Sequence, residues 1–262
     1  MPSSRINFLN VSGKRLAGIM ELPLPLATGK ELPKTIALFA HCFTCTKDLK
    51  AIVRISRALA KRNIGVLRFD FTGLGDSHGN FSDTNLESNL ADIQSACHWL
   101  SEHHQAPSLL IGHSLGGAAM MAAAESIPSS RALVTLASPS CTRHLAEFLG
   151  SQNPEINSTG SGTVTIGGRT HTIKKQMLDS LRDFDLKQRI QRIHIPHLIM
   201  HSPADETLDF RHAVEIFENT AGAKSLITLV DSDHLLVNRA DDATYVANLI
   251  AVWGSRFLPE IR

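Results

Sequence analysis

The segment SLLIGHSLGGAAMMAAAESIP, residues 108–128, decides the fold class. Its first six residues form a short, mostly apolar run of the kind found in a buried parallel strand. The small residues from Leu115 to Ile127 predict a helix that stops before Pro128. A strand that runs directly into a helix is typical of α/β proteins, in which helices connect parallel strands.

Strand and helix patterns alternate through most of the chain. Short apolar runs predict further strands at 35–40, 65–70, 132–137, 197–202 and 225–230. Apolar residues at helical spacing predict helices at 49–62 and 86–100, near 210–220 and near 240–257. We therefore predict an α/β fold with a mostly parallel central sheet and helices on both faces. Strands at 5–10 and 15–22 predict a hairpin that adds an antiparallel edge.

Residues 139–192 interrupt this alternation. They predict a helix at 142–150, a loop at 151–162, a hairpin at 163–173 that turns at Gly167-Gly168, and a helix at 174–190. This is too long for a simple crossover. We predict one domain over residues 1–262, with about 139–192 as a small cap-like insertion over the carboxyl edge of the sheet.

Composition narrows the class of protein. The 262 residues carry a formal net charge of +1, which gives no electrostatic case for binding nucleic acid or an anionic membrane. No apolar run approaches the roughly 18 residues of a membrane span, and the first ten residues lack the apolar stretch of a signal peptide. Four cysteines do not form a disulfide framework in a chain of this length. These features predict a cytoplasmic protein.

Residues 112–116 match the pattern G-x-S-x-G. This pattern places a serine on a sharp strand-to-helix turn, where flanking side chains would clash with neighbouring backbone. The predicted strand before Ser114 and the predicted helix after it satisfy this context, so Ser114 is a candidate nucleophile. The alternative is a glycine-rich turn that only packs a helix onto a strand.

A serine hydroxyl needs a histidine to take its proton and a carboxylate to orient that histidine. On this fold they follow the serine in the order acid, then histidine. Asp205 follows the predicted strand at 197–202, where open α/β sheets form their sites. His234 follows the strand at 225–230. We therefore predict a triad of Ser114, Asp205 and His234.

Other acids compete for the orienting role. Asp231 and Asp233 lie too close in sequence to the candidate histidine to be its usual partner. Asp205 could instead cap the helix that follows it, although Glu206 and Asp209 fit capping better.

A metal site is a further alternative. His194, His197 and His201 are spaced closely, but they straddle a strand start with Pro196 inside, and no Cys or Glu completes a ligand set. We predict neither a metal nor another cofactor.

Acyl transfer also requires donors for the oxyanion. We predict the backbone N–H of Leu115 and that of Phe43, with Cys42 as the second choice for the latter. We expect His41, Cys42, Phe43 and His113 to border the substrate pocket.

Cys42 and Cys45 form a C-x-x-C pair in that loop. We interpret them as small apolar residues that line the pocket. A redox pair beside the site is the alternative hypothesis.

Several motifs together resemble one family. They are HCFTC at 41–45, RFDFTGLGDS at 68–77, GHSLGG at 112–117, VTIGGR at 164–169 and HSPADE at 201–206. They resemble the α/β-hydrolase superfamily, and more closely the hydrolase domain that many bacteria fuse to an OsmC-like thiol peroxidase domain. The resemblance implies a serine esterase without a cofactor and an OsmC-like partner domain. His41-Cys42 departs from the common His-Gly pair of the oxyanion loop.

The combined expectation is a carboxyl-ester hydrolase that acts on a small-molecule ester through an acyl-enzyme. The short insertion predicts a small lid and a preference for short acyl chains. A thioesterase, a peptidase or a perhydrolase would use the same triad. A non-catalytic binding module on the same scaffold is the alternative from another class.

Overall fold

The computed structural model describes residues 3–24, 33–239 and 241–258. The strands of these parts are β1 Ser3–Leu9, β2 Arg15–Glu21, β3 Thr35–Ala40, β4 Ile64–Phe69, β5 Leu109–His113, β6 Ala132–Leu136, β7 Ser161–Ile166, β8 Arg169–Lys174, β9 His197–His201 and β10 Lys224–Thr228. The α-helices are α1 Lys50–Ala60, α2 Leu86–His103, α3 Leu115–Ala123, α4 Arg143–Gln152, α5 Ile156–Thr159, α6 Lys175–Asp183, α7 Leu186–Gln191, α8 Arg211–Asn219 and α9 Asp242–Gly254.

Eight strands form the central sheet in the order β1-β2-β4-β3-β5-β6-β9-β10. β1 and β2 pair antiparallel, and β2 joins β4 antiparallel. The remaining neighbours, from β4 across to β10, are parallel. The mostly parallel sheet and its antiparallel hairpin edge are confirmed.

Alternate residues of the buried strands supply two hydrophobic layers. In β3, Ile36 and Leu38 point into a cluster shared with α2 and α3, whereas Ala37 and Phe39 point into a cluster shared with α1 and α9. This alternation follows from the two-residue period of a strand. Because both faces are apolar, helices cover both faces, as predicted.

The direction of winding sets the position of the site. After β3 the chain moves through α1 to β4 on one side, and then through α2 to β5 on the other side of β3. Loops at the carboxyl ends of strands around such a switch point form the binding crevice of open α/β sheets. The loops after β3, β5, β9 and β10 therefore open at the same edge.

The segment between β6 and β9 differs from prediction in two places. The predicted loop at 151–162 contains the short helix α5, and the predicted helix at 174–190 is two helices, α6 and α7. The break occurs because the side chain of Asp185 accepts a hydrogen bond from the Gln188 N–H and begins a new helix. The hairpin β7–β8 turns at Gly167 and Gly168, which have φ of +57° and +74°.

Among the described residues, no helix combines the length and the apolar character needed to cross a membrane.

Candidate active site

Ser114 occupies the turn between β5 and α3. Its φ of +54° and ψ of −124° lie outside the regions that residues with a side chain normally adopt. A Cβ on Gly112 would lie 2.4 Å from the Cα of Gly117, and one on Gly116 would lie 2.3 Å from the His41 carbonyl oxygen. Only glycine fits at these two positions, so the sequence pattern follows from the tight packing of the turn.

Ser114, His234 and Asp205 are brought together from the loops after β5, β10 and β9. The Ser114 Oγ lies 3.1 Å from the His234 Nε2, and the His234 Nδ1 lies 2.7 Å from the Asp205 Oδ2. Since an ionised carboxylate only accepts hydrogen bonds, the Nδ1 carries the imidazole proton. The Nε2 lone pair is then free to accept the serine proton.

Several hydrogen bonds keep Asp205 ionised. Burial raises the pKa of this carboxyl group, but hydrogen bonds from His201 and His234 outweigh burial and hold the pKa well below its usual range. The Oδ1 atom also accepts the backbone N–H groups of Thr207 and Leu208 at 2.8 and 2.9 Å. Asp205 therefore serves both as the partner of the histidine and as the cap of its own loop.

His201 is a contact of the carboxylate that sequence reasoning missed. Its ring is 1% exposed, and its Nε2 lies 2.9 Å from the Leu208 carbonyl oxygen and 3.2 Å from the Asp205 Oδ2. Both partners are acceptors, so this nitrogen carries a proton. The signal in the sequence was a histidine at the end of a buried strand, four residues before the acid.

His113 lies behind the loop that carries His234. Its Nε2 donates to the His234 carbonyl oxygen at 2.7 Å, and its ring is 2% exposed. Burial, followed by repulsion from His234, lowers the pKa of His113 to about 3, so the ring is neutral. His113 does not occur among the described residues that line the narrow pocket beside Phe43 and Leu115, and its expected place at the substrate pocket stays a prediction.

The two competing acids have other partners. Asp231 is exposed, with a carboxylate oxygen 3.9 Å from Arg239. Asp233 accepts the backbone N–H groups of Val237 and Asn238 at 2.9 and 2.8 Å. Asp233 therefore orders the loop that presents His234 and does not orient the imidazole.

The predicted oxyanion donors lie on two different elements. Leu115 is the first residue of α3, where N–H groups have no partner within the helix. Phe43 lies in the loop after β3. Within the described parts of the chain, neither of these N–H groups donates to a protein acceptor.

A narrow pocket adjoins both donors. Apolar side chains line much of it, namely Phe43, Phe71, Leu74, Phe81 and Leu115, and His41 and Cys42 also contribute to its wall. Its volume of about 10 Å³ is close to the minimum that one water molecule needs. Without side-chain movement, the pocket has room for about one water molecule.

Cys42 and Cys45 form a disulfide bond. Their Cα atoms are 5.2 Å apart, which suits a disulfide. The interpretation of these residues as two separate apolar thiols is therefore wrong. Their spacing of three residues was compatible with this bond, whereas Cys97 and Cys141 are free thiols.

A buried ion pair lies next to the loop that carries the predicted donor Phe43. The side chain of Asp70 accepts both the Lys47 backbone N–H at 2.7 Å and the Lys47 ammonium group at 2.8 Å. Burial alone lowers the pKa of Lys47, but hydrogen bonds to Asp70 and Asp76 raise it above its ordinary value. Lys47 was not predicted from the sequence, because a lysine in a loop carries no specific signal.

Two of the three closely spaced histidines, His197 and His201, have protein partners. The His197 ring lies between the hydroxyl groups of Thr135 and Thr220, at 2.9 and 3.2 Å. His201 contacts Asp205, as described above. No group of three or more histidine, cysteine, aspartate or glutamate residues in the described ranges is arranged to hold a metal ion.

Comparison with known proteins places this geometry in a family. A family model described as serine aminopeptidase, S33, matches residues 33–158. The solved esterase domain of a Rhodothermus marinus protein is 39% identical, with a TM-score of 0.79 over 98% of this chain and 99% of that one. The chain belongs to the α/β-hydrolase family of serine hydrolases. The α/β-hydrolase fold predicted from its sequence is confirmed.

A solved structure of lower identity shares this α/β-hydrolase fold, and a further relative matches in sequence. Est1E from Butyrivibrio proteoclasticus, solved with ferulic acid bound, has a TM-score of 0.81 at 20% identity, over 95% of this chain and 99% of that one. The uncharacterized protein YfhR of Escherichia coli K12 is 24% identical to this chain. The match covers 88% of this chain and 72% of YfhR. The OsmC-like partner domain stays a prediction.

Proposed function

We propose that this hydrolase cleaves carboxylic esters through an acyl-enzyme, with Ser114 as nucleophile, His234 as general base and Asp205 as the group that orients the imidazole. The unbroken hydrogen-bond chain from Ser114 Oγ through His234 to Asp205 carries the proposal. A serine held at a positive φ at the carboxyl edge of the sheet supports it further.

In the first half-reaction, His234 Nε2 accepts the proton of Ser114 as Oγ attacks the ester carbon. Negative charge develops on the carbonyl oxygen and is stabilised by the N–H groups of Phe43 and Leu115. Asp205 stabilises the imidazolium without accepting its proton, in keeping with its low pKa. His234 then gives the proton to the leaving alcohol.

In the second half-reaction, water replaces the alcohol. His234 takes a proton from this water as the water attacks the acyl carbon. His234 then returns the proton to Ser114 Oγ, which leaves as a hydroxyl group and releases the acid. The same donors stabilise the second tetrahedral intermediate.

Substitution of the nucleophile tests this proposal. We expect Ser114→Ala to lower kcat for p-nitrophenyl acetate by about a million-fold and to abolish labelling by a fluorophosphonate probe. Ser126→Ala, at the exposed far end of the same helical segment, is the matched control and should keep wild-type activity. Equal activity and equal labelling in wild type and Ser114→Ala would contradict the proposal.

The same proposal includes a preference for short acyl chains, which the narrow pocket supports. Phe81 packs against Phe43 at a ring distance of 5.6 Å and against His171 of the hairpin at 5.4 Å. We expect acetyl and butyryl esters to react faster than dodecanoyl esters.

Shortening Phe81 tests that preference. Phe81→Ala should raise the ratio of butyryl to acetyl turnover by about 10-fold, since each methylene group is worth roughly 1–3 kcal/mol in such a pocket. The control is Phe148→Ala, which removes an exposed ring on α4. Faster turnover of the dodecanoyl ester by wild type would contradict this part. Matched thioester and amide substrates, run in parallel, test the choice of an ester.

A further inference from the structure

The Cys42–Cys45 disulfide encloses the residue that supplies one proposed oxyanion donor. The loop HCFTC leaves β3 and folds into a turn in which the Cys45 N–H donates to the Cys42 carbonyl oxygen at 3.2 Å. The disulfide joins the two ends of this turn, and Phe43 lies inside it. The cross-link therefore acts on the backbone that carries the Phe43 N–H.

The orientation of that N–H depends on the peptide bond between Cys42 and Phe43. His41 Nδ1 donates to the Cys42 carbonyl oxygen at 2.8 Å, and His41 Nε2 accepts the Phe71 N–H at 3.3 Å. Because a trans peptide is planar, its N–H points away from its carbonyl oxygen. Holding the Cys42 carbonyl therefore fixes the direction of the Phe43 N–H.

Thr44 shows why this turn needs a constraint. Its φ of +57° is in the left-handed region, which is unfavourable for a β-branched residue. We expect a loop without a cross-link to favour a negative φ at Thr44, which would rotate the adjoining peptides. The disulfide keeps Cys42 and Cys45 at the separation that the left-handed turn requires.

We propose that the Cys42–Cys45 disulfide is a positioning element of the oxyanion loop, so that the oxidised protein is the efficient hydrolase and reduction by a dithiol lowers kcat. This inference rests on the proposed ester hydrolysis. It assigns to the two cysteines a role through Phe43 and no direct contact with the reacting atoms.

Reduction is chemically accessible in this loop. Cys45 is partly exposed, whereas Cys42 is 4% exposed. A thiolate of the dithiol attacks Cys45 Sγ, the bond between the two cysteine sulfurs breaks, and Cys42 leaves as a thiolate that takes a proton. The second thiol of the reductant then displaces Cys45. Two electrons and two protons pass to the protein, and the dithiol becomes a cyclic disulfide.

Kinetics of the two redox forms test the inference. Dithiothreitol should lower kcat for p-nitrophenyl acetate by about 10- to 100-fold, up to the cost of losing one oxyanion donor, while KM changes less than about 3-fold. The affinity for a trifluoromethyl ketone, which forms an oxyanion on the serine, should fall in parallel. Glutathione disulfide, as the two-electron oxidant, should restore both values.

Cysteine variants separate this role from other thiol effects. The double variant Cys42→Ser/Cys45→Ser should have the kcat of the reduced wild type. Dithiothreitol should not change that kcat further. Cys97→Ser/Cys141→Ser, which removes the two free thiols, should respond as wild type does. If the first double variant fails to fold, Cys45→Ser alone provides the same comparison, because Cys42 stays in place.

Mass spectrometry and circular dichroism decide the outcome. A protein with both thiols reduced, a native far-UV spectrum and wild-type kcat overturns the inference. Loss of activity that accompanies loss of the native spectrum also overturns it, because the bond would then only stabilise the fold. Failure of the proposed function looks different, since the oxidised protein would then not hydrolyse any ester.

Discussion

The two halves of the site are held in place by different means. Ser114, His234 and Asp205 are joined by hydrogen bonds between their own side chains. The proposed oxyanion donor in the loop at 41–45 is a backbone N–H, next to a carbonyl oxygen bonded by the buried His41 and inside the turn that the disulfide closes. The first half depends on side-chain identity, whereas the second depends on backbone geometry. Substitutions should therefore affect the two halves through different kinetic signatures.

The largest effect among the positioning groups should come from the acid. We expect Asp205→Asn to lower kcat by about 10,000-fold with little change in KM, because the amide no longer holds the imidazole in the required tautomer. Steady-state kinetics on p-nitrophenyl acetate measure this loss. The matched control, Asp209→Asn, replaces a carboxylate that accepts the Arg211 N–H within its own loop, and it should leave kcat unchanged. Equal kcat values for wild type and Asp205→Asn would show that Asp205 does not act as the orienting acid.

The backbone geometry of the oxyanion half can be disturbed without substituting a triad residue. A Cβ at position 116 would lie 2.3 Å from the His41 carbonyl oxygen and 2.5 Å from that of Ala40. Gly116→Ala should push the loop away from Ser114 and lower kcat by roughly 100-fold, comparable to losing one donor. Gly150→Ala is the control, because a Cβ there meets its nearest neighbour at 3.9 Å. Wild-type kcat in a folded Gly116→Ala variant would contradict this account of the turn.

A smaller effect should follow from removing the His41 hydrogen bond. His41→Leu leaves the Cys42 carbonyl with only the Cys45 N–H and should lower kcat by about 10-fold, a fraction of the cost of a lost donor. His41→Asn keeps a donor near the position of Nδ1 and should recover most of the rate. Identical kinetics for the Leu and Asn variants would show that this hydrogen bond does not orient the loop.

The smallest expected effect is a change in the pH dependence of stability. Burial lowers the folded pKa of His113 and of His197 to about 3, below the unfolded value of about 6.5. Between these pH values the unfolded chain binds the proton and the folded chain does not. The stability present above pH 6.5 is therefore lost as the pH falls.

Replacing each of these histidines with glutamine should weaken that dependence. Urea unfolding between pH 4 and 6 should show a slope of free energy against pH smaller by up to about 1.4 kcal/mol per pH unit. Only His113→Gln should also alter kcat, because His113 contacts the loop that carries His234. Unchanged slopes would show that these rings do not stay neutral in the folded protein.

The two halves also differed in how far sequence could predict them. Apolar runs predicted strand ends at 113, 202 and 230, close to the observed ends at 113, 201 and 228, and the order of the strands constrained which aspartate and histidine meet the serine. Hydrophobic periodicity likewise predicted the sheet, since each buried strand must be apolar on both faces. These inferences succeeded because they depend on side-chain type and chain order.

Features of the site that depend on backbone geometry were harder to predict from the sequence. The disulfide, the left-handed Thr44 and the buried ring of His113 depend on the path of the chain in three dimensions. The break between α6 and α7 was missed because Asp185 stops a helix only when its side chain turns toward the Gln188 N–H. Local sequence patterns do not determine these conformations, because they depend on packing against segments that are distant in the sequence.

Trapping the acyl-enzyme tests the central claim most directly. The oxidised protein should be mixed with p-nitrophenyl acetate, quenched in acid within milliseconds and digested for peptide mapping. We predict a burst of p-nitrophenol that approaches one equivalent per chain, with the acetyl group on Ser114 and none in Ser114→Ala. Steady hydrolysis without a Ser114 adduct, or an acetyl group that maps to another residue at the same rate, would contradict this mechanism.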